Sequence, residues 1–142
     1  MELLRNGRHR VVITGVGAIT ALGTVDALWR NLLEGHSGIR RIETINVEHV
    51  PVQIGGEVRD FDPTQYIDRK EARRMGRASH FAMAASQMAV DDAGLGVDAI
   101  QEEGERAAVV IGTSLGSHEM SEQATYKYKT SGYRKPNPLA LI

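Results

Sequence analysis

"VVITGVGAITALG" occupies residues 11–23. β-favouring residues run into Gly15, and Gly17 and Gly23 follow. The stretch has the outline of a strand and a phosphate-cradling turn. A dinucleotide-binding turn needs G-x-G-x-x-G/A, with a helix starting at once so that its N-terminus meets the pyrophosphate. Gly15 and Gly17 fit that spacing, but Thr20 stands where the third glycine belongs, and Gly23 comes three residues late. The following helix is capped only at Thr24. Glu34 lies at the offset of a ribose carboxylate, yet it falls in the last turn of that helix rather than after a second strand. The dinucleotide reading fails on both counts. The glycines are expected to let the backbone turn tightly between strand and helix.

Outward from this stretch, strand and helix signals alternate. Residues 10–17 read as a buried strand. "TVDALWRNLLEG" (24–35) reads as a helix capped by Thr24 and closed by Gly35, with Val25, Leu28, Trp29, Leu32 and Leu33 on one face. "HSGIRRIETINVEHVP" reads as loop or extended chain, and residues 53–59 as a weaker strand before a turn at Asp62–Pro63. A long helix is expected over 69–93, opened by an Asp68/Glu71 capping box and stopped by Gly94. "ERAAVVIGTSLG" (105–116) reads as a third strand, and a helix is expected from about Ser117 to Thr130. This order predicts an α/β protein with helices flanking a mixed, mostly parallel sheet. Three strands make a thin sheet, and the apolar "LALI" at the end has nothing after it to cover it. The expectation is half of a domain, or a subunit completed by a partner; a frayed, exposed tail is the alternative.

The composition excludes several classes. The 142 residues suit one domain, 42% are hydrophobic, 25% are charged, and the net charge is −1. Nothing global points to nucleic acid or to a membrane surface. The absence of cysteine excludes disulfides, thiolate metal sites and a cysteine nucleophile within this chain. "MELLRNGRHR" lacks the apolar core of a signal peptide, so the cytoplasm is the expected location. The histidines at 9, 36, 49, 80 and 118 show no ligand spacing, so no metal is expected. "GTSLGS" is not the G-x-S-x-G elbow of a serine hydrolase.

Seven stretches occur in order: "RVVITGVGAITALG", "LWRNLLEGHSGI", "GGEVRDFDP", "DRKEARRMGRASHFAMAAS", "DDAGL", "VVIGTSLGS" and "SGYRKPNPLALI". Together they resemble the β-ketoacyl-[acyl carrier protein] synthases of the elongating, synthase II type. The resemblance covers about residue 10 to the end. It implies the thiolase-like fold, with residues 1–142 as the N-terminal portion of the synthase domain, an incomplete first half. It implies decarboxylative Claisen condensation with a malonyl-carrier donor, no cofactor, and acyl carrier protein as partner. A homodimer or a complementing ketosynthase chain is also implied. The family's cysteine, two histidines and lysine lie beyond position 142, so no catalytic residue is carried over. The remaining possibilities are a fragment, a truncated product, one part of a split enzyme, a non-catalytic ketosynthase-like partner, and a carrier-docking module.

Two sets of site residues follow from the resemblance. Lys70, Arg73 and Arg74, joined by Arg134 and Lys135, match the carrier-docking surface. The residue pattern agrees, because on a continuous helix Arg69, Lys70, Arg73, Arg74 and Arg77 share one face, while Ala72, Met75, Ala78 and Ala82 face away. A solvated helix face is the plain alternative. Leu115 matches a residue that lines and gates the acyl pocket across the dimer; a core leucine is the alternative.

Overall fold

The computed structural model describes residue 7 and residues 9–131. The elements, in order, are α1 (Val25–Leu33), β1 (Ile39–Arg41), β2 (Ile54–Gly56), a 3₁₀ turn (Pro63–Gln65), α2 (Arg69–Ala72), α3 (Arg77–Asp92), α4 (Val97–Glu103), a second 3₁₀ turn (Gly104–Arg106) and α5 (His118–Ser131).

α1 forms close to the expected bounds. Thr24 occupies the N-cap but makes no side-chain bond there. Gly35 ends the helix with φ 73°, and Gly94 follows α3 with φ 64°, conformations that glycine adopts without the Cβ penalty. Trp29 and Leu33 lie on the outside of α1, 64% and 71% exposed.

The sheet differs from expectation. Among the described residues it has two strands, paired antiparallel with Ile39 opposite Gly56 and Arg41 opposite Ile54. β1 lies in a stretch read as loop, and β2 is a shortened form of the strand expected over 53–59. No strand forms over 10–17 or 105–116. Val11 and Ile13 are 89% and 84% exposed, and Val110 is 92% exposed. Their composition favours a strand, but a strand needs a neighbouring strand to pair with, and among the described residues the sheet contains only β1 and β2.

Gly15 and Gly17 have a different role from the one their spacing suggested. Neither has positive φ. Both lie against α3. A Cβ on Gly15 would stand 2.1 Å from the Ala89 carbonyl oxygen, and one on Gly17 would stand 2.0 Å from that of Ala85. The Val16 amide, between them, donates to Asp92 Oδ2 over 2.9 Å. Here glycine serves backbone approach to a helix rather than turning. The turn lies further on, where Thr20 and Gly23 exchange backbone bonds of 3.0 Å and Gly23 takes φ 107°.

The expected helix over 69–93 is broken. α2 ends at Ala72 and α3 begins at Arg77, with buried Gly76 as its N-cap. Gly76 packs so closely on α5 that an added Cβ would meet Ser117 at 2.1 Å. Glu119 of α5 accepts the Arg77 amide over 2.6 Å, placing a carboxylate on the open N-terminus of α3. The single basic face therefore does not persist. Arg77 turns to the Val58 carbonyl and lies over the Phe81 ring, 4.8 Å from its centre. The most buried apolar side chains include Val47, Ile67, Ala72 and Ala84.

Candidate carrier-docking surface

The segment before α2 is built from two aspartates. Asp62 Oδ1 accepts from the Thr64 hydroxyl at 2.7 Å and the Thr64 amide at 2.9 Å, with Pro63 presetting the turn. These two bonds hold the Asp62 carboxyl below its usual pKa. Buried Ile67 then pins the chain. Asp68 Oδ1 accepts from the amides of Lys70 (2.8 Å) and Glu71 (3.3 Å), so the Asp68 half of the expected capping box forms, while the Glu71 carboxylate turns to Arg74 instead.

α2 is thus a single turn with one side buried, through Ala72. Lys70, Arg73 and Arg74 are all exposed. Arg74 Nη1 lies 3.5 Å from Glu71 Oε1, an exposed pair that leaves the local balance basic. The structure therefore brings three of the five expected docking residues together on one short segment. Arg134 and Lys135 lie outside the described residues, as do Tyr133 and the apolar tail. Leu115 sits in the turn before α5, 74% exposed and followed by Gly116 at φ 58°.

Residues flanking the first 3₁₀ turn meet α3 in an aromatic cluster. Phe61 stacks on Tyr66 with ring centres 6.2 Å apart and tilts against Phe81 at 5.1 Å. His80 Nε2 is 2.7 Å from the Ala72 carbonyl oxygen. A carbonyl only accepts, so Nε2 carries the proton. The sequence marked His80 as a surface or core histidine without assigning it this bond.

The sequence reading also missed a charged knot beside β1 and β2. Arg59 reaches Glu43 and Glu57, each over 2.9 Å, and donates to the Arg41 carbonyl. Glu57 accepts from the Thr44 hydroxyl and from the amides of Thr44 and Glu43, both at 3.0 Å. Its carboxyl is lowered to about 2, chiefly by the Thr44 hydroxyl and then the Thr44 amide. The available signal was the Glu57–Val58–Arg59 alternation, which puts both charges on one side of an extended chain. The knot borders a cleft of about 230 Å³ that also touches Thr20, Arg40 and Tyr66. Arg40 donates to the Ala21 carbonyl at 3.1 Å, so its guanidinium too is engaged. These bonds tie β1 and β2 to the glycine turn. Among the described residues no cluster of three or more metal-ligating side chains occurs, and no helix is long and apolar enough to cross a membrane.

Solved ketosynthases share this fold. The ishigamide ketosynthase/chain length factor superposes with a TM-score of 0.81 at 36% identity, over 94% of this chain and 33% of that one. A beta-ketoacyl synthase from Burkholderia phymatum gives a TM-score of 0.66 at 26% identity, again over 94% and 33%. The class is therefore the ketosynthases, with their thiolase-like fold. The profile of the beta-ketoacyl synthase N-terminal domain matches residues 8–141, and the chain belongs to that family. Proteins named 3-oxoacyl-[acyl-carrier-protein] synthase 2 are similar to it. That of Synechocystis sp. is 44% identical over 81% of this chain and 27% of its own length. That of Vibrio harveyi is 36% identical over 92% and 31%. The chain thus spans about a third of the length of these relatives.

Proposed function

We propose that this chain is the N-terminal portion, over residues 1–142, of a β-ketoacyl-[acyl carrier protein] synthase that elongates acyl chains in fatty acid or polyketide synthesis. The observation that carries the reading is the family match over residues 8–141, on a fold that superposes on a ketosynthase over nearly its whole length. In the reaction, the malonyl carboxylate leaves as CO₂. The resulting enolate carbon attacks the acyl thioester carbonyl and a thiolate departs. This chain has no cysteine, so the acyl-bearing thiol belongs to another part of the enzyme.

The role assigned to this portion is carrier recognition. Acyl carrier protein is acidic, and a clustered basic surface steers it in and fixes its register. Lys70, Arg73 and Arg74 form the inner part of that surface, and Arg134 and Lys135 extend it. Leu115 is assigned to the acyl pocket, facing the second ketosynthase chain of a homodimer or complementing pair. Its exposure suits a residue covered by a neighbour. The same argument applies to Val11, Ile13, Val110 and their neighbours, which in the complete enzyme become strands of a mostly parallel sheet. The setting is the cytoplasm, and no cofactor is required.

A second reading is a non-catalytic ketosynthase-like partner. It is favoured by the likeness to a protein described as a ketosynthase/chain length factor. A condensation assay separates the two. The full-length protein, given acyl-carrier and malonyl-carrier substrates, is expected to release CO₂ and form a 3-oxoacyl product. Failure to do so alone, with product formed once a Cys-bearing partner is added, would favour the second reading.

A further inference from the structure

We infer that His80 is the positioning residue of the docking surface: through its bond to the Ala72 carbonyl it sets the direction in which Lys70, Arg73 and Arg74 are presented to the carrier. This rests on the docking role proposed for those three side chains.

α2 has four residues, Arg69–Ala72. A helix of that length does not stand alone in water, where isolated helices shorter than about 12 residues are marginal. Its geometry is therefore imposed from its ends and from its buried side. At the N-terminal end the imposing group is Asp68. At the C-terminal end it is whatever binds the open carbonyls. The Ala72 carbonyl receives two donors, the Met75 amide at 3.2 Å and His80 Nε2 at 2.7 Å. The first is local and comes from the linker itself. The second comes from the first turn of α3, where the His80 amide bonds to the Gly76 carbonyl at 3.1 Å.

The position of this bond gives it leverage. Arg73 and Arg74 directly follow the anchored carbonyl, and Lys70 lies within one turn before it. Residues 73–76 are the hinge between two helices that the sequence pattern alone would have run together. A fixed α2–α3 angle requires a bond across that hinge, and His80 to Ala72 is such a bond. His80 is itself partly buried next to Phe81, which packs on Phe61. The imidazole is thereby held by a packed helix while its tip holds the C-terminal end of the single-turn α2. Both the Nε2–H tautomer and the imidazolium donate from Nε2, so either form makes the contact.

The test is steady-state kinetics of the full-length protein with two malonyl donors, the carrier-bound thioester and a short pantetheine thioester without carrier. His80→Ala and His80→Leu remove the donor, the second keeping apolar bulk in case the first fails to fold. His80→Gln keeps a terminal N–H. Loss of one such bond is worth about a threefold to tenfold change. His80→Leu is expected to raise KM for the carrier-bound donor by that factor, with the pantetheine donor unaffected, and His80→Gln is expected to restore most of the loss. Combining His80→Leu with Lys70→Glu and Arg74→Glu should add little to the charge reversal alone. Equal losses with both donors would assign His80 a general folding role and overturn the inference. So would an unchanged KM in His80→Leu while the charge reversal still raises it; the docking role then stands. If the charge reversal itself leaves carrier KM unchanged, the docking role falls and this inference with it.

Discussion

Gly17→Ala tests the way the opening stretch packs. The new Cβ would lie 2.0 Å from the Ala85 carbonyl oxygen and 2.9 Å from the Ala89 amide nitrogen. Both are backbone atoms of α3, which cannot rotate aside as a side chain could. The segment would have to retreat by more than an ångström to reach ordinary contact. Overpacking of this kind typically costs about 1–3 kcal/mol. Retreat would also stretch the Val16–Asp92 bond, now 2.9 Å, whose loss adds roughly 1 kcal/mol because Asp92 is solvent-exposed. The expected destabilisation is therefore about 2–4 kcal/mol, a large share of the 5–15 kcal/mol typical of a folded protein. Urea unfolding followed by circular dichroism measures it as a lowered midpoint with an unchanged slope. Gly96→Ser is the control. It sits in open space at φ −80° on the N-cap of α4, so it should be neutral or slightly stabilising. A Gly17→Ala variant within about 0.5 kcal/mol of the parent would refute the close-approach explanation, since that is the range of an ordinary surface change.

Two further outcomes follow from the packing and the charged knot. Gly76→Ala should destabilise the protein and loosen α5 from α3, because its Cβ would collide with Ser117 at 2.1 Å; hydrogen exchange of the α3 N-terminal amides, Arg77 included, should then speed up. Glu57 should shape the acid limb of stability. Its folded-state pKa lies below its unfolded value, so its contribution is present above about pH 4.5 and is lost as the pH falls toward about 2. Glu57→Gln should flatten the unfolding curve in that window, and an unchanged acid limb would contradict the Thr44–Glu57–Arg59 assignment.

Much of the helical structure was legible because its signals are local. The amphipathic face of α1, the Asp68 cap, and the stops at Gly35 and Gly94 each depend on residues a few positions apart. The run of exposed basic residues at 69–74 was legible for the same reason. What the sequence concealed depends on distant partners. The break at residues 73–76 follows from Gly76 meeting α5, some 40 residues onward. The purpose of Gly15 and Gly17 follows from α3, about 70 residues onward. Nothing in their spacing separates glycines that turn from glycines that permit contact. Residues 10–17 and 105–116 carry strand composition, but a strand exists only when something pairs with it. The short strand β1 went unread because its neighbours look like loop. α4 was also missed; its signals, Gly96 at the N-cap and Asp98 in the first turn, are faint. His80 showed no periodic signal, because its importance lies in one bond across a hinge that the sequence did not reveal.

The central claim is that the exposed cations Lys70, Arg73 and Arg74, in and just after α2, receive an acidic carrier. The direct measurement is the affinity of the full-length protein for acyl carrier protein, by calorimetry, across ionic strength, with Lys70→Glu/Arg74→Glu beside the parent. Charges are felt over about 30 Å at 0.01 M salt but only about 3 Å at 1 M. The parent should bind more weakly as salt rises. The reversed variant should bind about tenfold or more weakly at low salt, taking exposed pairs at up to roughly 1 kcal/mol each and adding repulsion. The two should converge at high salt. Equal affinity of both proteins at low ionic strength would contradict the account.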